Sequence, residues 1–262
     1  MEPYTAQLYL SPIALPERSV GNVSIQHMKI KKGAPLDVVG FRQALLRGCA
    51  PLKTVAPRDM IIHQLCDKKR GVWMTDLPEE LNQIYEAIYY LQPFGNVFVG
   101  GLGLGLLPKI LTKHPDVFSV TVVERDARII KLSQDSGAQR VIHDDLYSYL
   151  ITSPRFNSYM LDTWQGTSEG TYWSEVLPAR RLIGNKHMGF VTPKVWCWAE
   201  DIMRGQCIRS ILNPRVRYWY YSIFPKKMSG ADCMWFFNNV GSAVWEKKYG
   251  EKLDEYNKTR KS

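Results

Sequence analysis

The run Asn96-Val-Phe-Val-Gly-Gly-Leu-Gly-Leu-Gly-Leu-Leu-Pro108 restricts what this chain can fold into more than any other stretch. Asn96 to Val99 is a short β-branched and aromatic segment, the composition of a buried parallel strand. Gly101, Gly103 and Gly105 then alternate with leucines, and Leu106, Leu107, Ile110 and Leu111 follow at helical spacing. Strand, glycine turn and helix together bring backbone N–H groups and the positive end of a helix against a bound group. A Cβ in such a turn holds the ligand away, and its backbone angles suit glycine.

A second apolar strand, Val120-Thr-Val-Val-Glu124, ends in a carboxylate. It lies about 20 residues past the glycines, where folds of this type hydrogen-bond ribose hydroxyls. Glu124 has a plainer reading as a solvated strand-end charge. The alternation continues, with strands expected at 96–99, 118–124, 139–143, 157–162 and 187–192. Helices are expected near 103–114, 126–133, 145–151, 172–183 and 197–211. That order calls for an α/β fold, a doubly wound, mainly parallel sheet. Ligands in such sheets bind beyond the C-terminal strand ends, where strand order reverses. The glycine turn, Glu124, Asp144, Asp145 and Asp162 all fall at those ends.

The dinucleotide fingerprint requires a third glycine where this chain has Leu106. Gly101-Leu-Gly-Leu-Gly105 instead resembles the first motif of class I S-adenosylmethionine-dependent methyltransferases. Val141-Ile-His-Asp-Asp-Leu-Tyr-Ser-Tyr149 resembles that family's third strand and acidic loop. Phe156-Asn-Ser-Tyr-Met-Leu-Asp-Thr-Trp164 resembles its fourth strand. The likeness covers about residues 95 to 192 and is nearest to the spermidine-synthase-like branch, including similar proteins carried by tailed phages.

This resemblance implies a Rossmann-like domain that binds S-adenosyl-L-methionine. The implied contacts are Gly101, Gly103 and Gly105 along the donor, Glu124 at the ribose, and Asp144, Asp145 and Leu146 beside the adenine. It places Asp162 at the mouth of the active site, as a base toward an amine-bearing or polar small-molecule acceptor. The other reading of Asp162 is a carboxylate that orders its own turn. Trp73, Thr75, Trp164, Glu169 and Trp173 are candidate acceptor-side walls. For Trp164, Glu169 and Trp173, an aromatic–carboxylate cradle for a cation competes with ordinary packing. Decarboxylated S-adenosylmethionine, the donor of polyamine aminopropyltransferases, is the alternative cofactor. However, Gly103 stands where those enzymes carry an amine-pairing Asp, and Asp162-Thr-Trp-Gln-Gly166 replaces their Asp-Ser-Ser-Asp-Pro run. The Asn/Asp-Pro-Pro-Tyr and Pro-Cys motifs of nucleic-acid methyltransferases are absent as well.

Flanking segments read less sharply. Residues 1–70 are expected to form a small β-rich element, with strands at Gln7–Leu10 and Asn22–Ile30 and a short helix at Val39–Leu46. Residues 71–242 would form the Rossmann-like domain and 243–262 a charged helix and tail. Thr75 or Asp76 can cap a helix in which Pro78 occupies the first turn and Leu81, Ile84, Tyr85, Ile88 and Leu91 share a face. Glu200 and Arg204 are spaced to pair on the last helix. Val216–Phe224 and Cys233–Phe237 read as an aromatic strand pair, with base stacking the rival to packing.

A net charge of +9 permits an anionic partner, but no nucleic-acid-binding module signature accompanies it. Five scattered cysteines without a C-x-x-C pair argue for a reducing compartment, with neither disulfides nor a metal site. No membrane span or signal peptide is expected, which suggests the cytoplasm, the host's if a phage encodes the chain. Homo-oligomerisation is left open.

Overall fold

The structure is a computed structural model and describes residues 11–36, 55–134, 136–164 and 171–204, with Glu79 and Trp173 described by backbone alone. The expected strand at Gln7–Leu10, helix at Val39–Leu46, aromatic strand pair after Pro214 and C-terminal helix lie outside these residues, as does Glu169. The chain forms two compact units. One comprises the described residues of Met1–Leu146, Phe156–Leu161 and Lys194–Trp196; the other comprises those of Tyr147–Arg155, Asp162–Pro193 and Cys197 onward.

The first unit opens with an antiparallel sheet of β1 (Arg18–Val20), β2 (Val23–Ile30), β3 (Met60–Asp67) and β4 (Gly71–Thr75), in that order. The pairing of β2 with β3 is continuous from Val23↔Asp67 to Ile30↔Met60. Residues 71–75, for which the sequence suggests no strand, add a fourth strand ahead of the expected helix. The pairing of β3 with β4 jumps from Leu65↔Met74 to Cys66↔Val72, so Trp73 is the extra residue of a β-bulge.

Helix α1 (Pro78–Leu91) follows, with Pro78 in its first turn as expected. Leu77 rather than Thr75 or Asp76 takes the cap position and makes no side-chain cap bond. Glu80 instead reaches back, its Oε2 accepting the Thr75 N–H at 2.8 Å, while Thr75 Oγ1 accepts the Leu77 N–H at 3.3 Å. Asp76 is only 1% exposed and is committed elsewhere. Its carboxylate accepts the His63 backbone N–H at 2.7 Å and meets His63 Nδ1 at 2.6 Å. Because His63 Nε2 accepts the Leu15 N–H at 3.3 Å, the ring proton sits on Nδ1.

The second sheet has five strands: β5 (Gly95–Gly100), β6 (Val117–Glu124), β7 (Arg140–His143), β8 (Ser158–Leu161) and β9 (Lys194–Cys197). Their spatial order is β7-β6-β5-β8-β9, and the β5–β6, β5–β8 and β6–β7 pairs are parallel. This is the doubly wound order expected from the alternating pattern, reversing between β5 and β8. Val97, Phe98 and Val99 are all fully buried, which is why β5 reads as an unbroken apolar run. On one face Val97 and Val99 pack with Val120, Val122 and Met160, in a core that also takes in Val23, Ile25 and Leu65 of the first sheet. Phe98 stacks against Phe156 and Tyr159, at ring separations of 5.3 and 5.6 Å.

Helices α2 (Leu106–Leu111), α3 (Ala127–Leu132) and α4 (Leu146–Thr152) match the expected alternation. Asp126 caps α3, its carboxylate accepting the Arg128 N–H at 2.9 Å. A π-helical turn, Tyr172–Val176, leads directly into α5 (Leu177–Lys186). The expected strand at 187–192 is not present. Gly189 turns the chain with φ +78°, and Met188, Phe190 and Val191 are largely exposed. Those residues have the composition of a strand without the burial of one, and β9 begins at Lys194 instead.

Candidate functional site

Between β5 and α2 the backbone turns through Gly101, Gly103 and Gly105, with φ of 91°, 52° and 79°. The leucines between them anchor the turn: Leu102 is 3% exposed and Leu104 and Leu106 are fully buried. Alternation of glycine and leucine thus fixes one side of the turn in the core and leaves the other without side chains of the turn's own. Hydrogen bonds brace it further. The Gly101 N–H donates to Val123 O at 2.8 Å and the Gly105 N–H to Leu102 O at 2.8 Å. Ser133 Oγ donates to Gly103 O at 2.6 Å.

Glu124, the last residue of β6, is a buried carboxylate rather than a solvated strand-end charge. Its Oε2 accepts the Leu102 N–H at 3.0 Å and its Oε1 accepts the Asp126 N–H at 2.8 Å. The side chain therefore ties the glycine turn to the start of the next connection. A carboxylate oxygen can accept twice, so each still has capacity for a ribose hydroxyl. One strand further, the Asp144 N–H donates to Glu124 O at 3.2 Å, and Asp144 Oδ1 accepts the Asp145 N–H at 2.7 Å. Leu146 is buried and opens α4. Glycine turn, Glu124 and the Asp144–Asp145 pair thus occupy the C-terminal ends of three adjacent strands in one unit.

The acceptor-side candidates are distributed differently. Thr75 is buried and its hydroxyl serves the start of α1. Trp73 is half-buried in the same core as the turn leucines, and its indole N–H is buried without a hydrogen-bond acceptor among the described residues. Its neighbour Met74, which the sequence reading did not single out, lies on the turn itself. Met74 Sδ accepts the Leu104 N–H at 3.4 Å. A Cβ placed on Gly103 would sit 2.5 Å from that sulfur.

In the second unit, Trp164 is 7% exposed and its Nε1 donates to Trp198 O at 2.9 Å, so its polar edge is used in packing. Glu200 does not pair with Arg204; Arg180 Nε donates to Glu200 Oε1 at 2.6 Å. Cys197 is buried, and burial pushes its thiol far above the ordinary range, which makes it unreactive. Asp162 directly follows Leu161, the residue of β8 paired with Gly100. It keeps part of its surface accessible, yet no hydrogen bond reaches its carboxyl among the described residues. Burial pushes its pKa up to about 7.

No protein-family model matches the sequence, and neither does any curated protein. Solved structures do match. One is an S-adenosylmethionine-dependent methyltransferase from Clostridium acetobutylicum, 15% identical over 40% of this chain and 44% of that one, with a TM-score of 0.31. A second, from Methanococcus maripaludis and provisionally described as an S-adenosyl-L-methionine-dependent methyltransferase, is 13% identical over 63% of this chain and 76% of that one, TM-score 0.34. A third is the spermidine synthase of Thermotoga maritima, 16% identical over 43% of this chain and 47% of that one, TM-score 0.29. The chain thus spans less than half the length of the first and third. Among the described residues no helix is long and apolar enough to cross a membrane.

Proposed function

We propose that this protein is an S-adenosyl-L-methionine-dependent methyltransferase acting on a small, amine-bearing or polar acceptor. One observation carries the reading: three neighbouring strand ends present a turn of three glycines, a buried Glu124 and an Asp144–Asp145 pair on the same edge of a doubly wound sheet. These residues fit an adenosine-containing ligand. Gly101, Gly103 and Gly105 carry no Cβ of their own along the turn, and Glu124 retains lone pairs for hydroxyl donors. Asp144 and Asp145 supply the polar edge that an adenine amino group requires.

When bound, the donor would supply a methyl already activated on a sulfonium, for transfer to an acceptor lone pair with S-adenosylhomocysteine as the leaving group. The protein's remaining work is alignment and removal of the acceptor's proton. Asp162 takes that proton in this reading. A carboxyl with a pKa near 7 and no hydrogen bond among the described residues is poised for proton exchange at neutral pH. Gly103, which offers no carboxylate for a decarboxylated donor's amine, favours methyl over aminopropyl transfer.

Calorimetric titration with S-adenosyl-L-methionine tests the assignment. The wild type should bind, and Glu124→Ala should weaken binding by about 10-fold or more, because ribose hydrogen bonds and the brace on Leu102 are lost together. Unchanged affinity in that variant would count against it. Decarboxylated donor, titrated in parallel, should bind more weakly; preference for it would make the enzyme an aminopropyltransferase.

A further inference from the structure

We propose that Met74 is a displaceable plug in the glycine turn, holding with its own thioether the position that the donor's sulfur-bearing tail takes on binding. The inference rests on the donor reading above and adds a residue that competes with the ligand. The Met74 sulfur lies 2.5 Å from where a Gly103 Cβ would be and accepts the Leu104 N–H, so it covers the face of the turn that carries no side chains of its own. A nucleoside ligand must approach along that face, because the other is packed with Leu102, Leu104 and Leu106.

The sheet places the sulfur there by an irregularity. Consecutive strand residues ordinarily point to opposite faces. The bulge at Trp73 breaks that rule, and both Trp73 and Met74 pack toward the core that contains the turn. A regular strand would send one of the two away from it.

Methionine suits such a role. Its unbranched side chain has three rotatable bonds and its sulfur is a weak acceptor, so it fills a gap closely and leaves at low cost. A carboxylate or amide in the same place would bind the turn more strongly and resist exchange. The Leu104 N–H is satisfied by Met74 in the ligand-free protein and released when a ligand arrives. Apparent affinity is then reduced to the intrinsic value multiplied by the fraction of molecules in which Met74 has left the turn. The competing explanation, that Met74 is only core filler, predicts that shortening it leaves ligand affinity unchanged or reduces it.

The experiment compares wild type, Met74→Ala and Met74→Leu. Calorimetric titration with S-adenosylhomocysteine should show Met74→Ala binding about 3- to 30-fold more tightly than wild type. Met74→Leu, which keeps the bulk but loses the sulfur acceptor, should bind with an affinity between those of wild type and Met74→Ala. In the ligand-free proteins, amide hydrogen exchange at Leu104 should be faster in both variants, since neither has a sulfur acceptor. Equal or weaker binding by Met74→Ala overturns the plug and leaves the donor reading standing. Failure of all three proteins to bind overturns the donor reading and the plug with it. If Met74→Ala does not fold, the wild type labelled with methyl-13C methionine decides. Saturating ligand must shift the Met74 methyl resonance, identified by its absence in Met74→Leu, and an unmoved resonance overturns the proposal.

Discussion

Asp162 has a carboxyl whose ordinary pKa of 3.8 is pushed up to about 7 by burial. Folding therefore favours its protonated form. Below about pH 4 the carboxyl is protonated in both folded and unfolded chains and costs nothing. As pH rises, the unfolded chain ionises first, and the folded state loses stability until pH passes about 7, after which the penalty is constant. Asp162→Asn should thus leave stability nearly unchanged at about pH 4 and raise it at about pH 8, by on the order of 2–4 kcal/mol. Urea unfolding at the two pH values measures this; equal effects at both would show that burial does not hold the proton. The same ionisation governs the proposed chemistry. A base must be deprotonated, so wild-type turnover should climb with pH through about 7 and level off, and Asp162→Asn should retain donor binding but lose most turnover. The Asp162 carboxyl, without a hydrogen bond among the described residues, differs in this from Trp164, whose indole N–H is used in packing.

The glycine turn is the element on which the site depends, and its strain can be measured against a neutral control. Gly105 has φ +79°, and a Cβ there would lie 2.8 Å from Ser136 Cβ and 3.1 Å from its Cα. Backbone cannot give way as a side-chain tip can, so Gly105→Ala should cost about 2–4 kcal/mol and abolish donor binding. Gly184, exposed within α5, has nothing within 4 Å of its missing Cβ. Gly184→Ala should stabilise by roughly 0.5–1 kcal/mol through helix propensity alone. Thermal unfolding of the pair checks both signs. The turn itself is legible in the sequence, because glycine and leucine alternate for reasons that are local: angles on one side, anchoring on the other. Its surroundings are not. Met74 reaches the turn through a bulge set by cross-strand register, and no pattern within residues 71–75 announces it. Glu124 is predictable by its place at a strand end, whereas the engagement of both its oxygens by Leu102 and Asp126 depends on how the loop closes. Asp76 reads as a helix cap until His63, 13 residues earlier, takes its carboxylate.

Across the whole molecule, β2 and β7 lie where the pattern puts them although neither is buried throughout, and the central strands are the ones in which apolar content and burial coincide. These are β5, β6 and β8. The segment at Met188–Val191 breaks that coincidence, apolar yet exposed, and there the expectation fails. Division into two compact units is not legible from composition, since Phe156–Leu161 and Lys194–Trp196 join the first unit while the segments between and around them belong to the second. It has a thermodynamic consequence. The glycine turn, Glu124, Asp144 and Asp145 all belong to the first unit, so ligand binding to them stabilises that unit by mass action. S-adenosylhomocysteine at 100 times its Kd adds about 2.7 kcal/mol, which for a unit of this size raises its unfolding temperature by roughly 5–10 °C. If the units unfold in separate transitions, differential scanning calorimetry should show ligand moving one peak and sparing the other. The peak that moves should be the one lowered by Gly105→Ala, and in Glu124→Ala the ligand-induced shift should shrink. Movement of the opposite peak would place the ligand in the second unit and remove the glycine turn as its site.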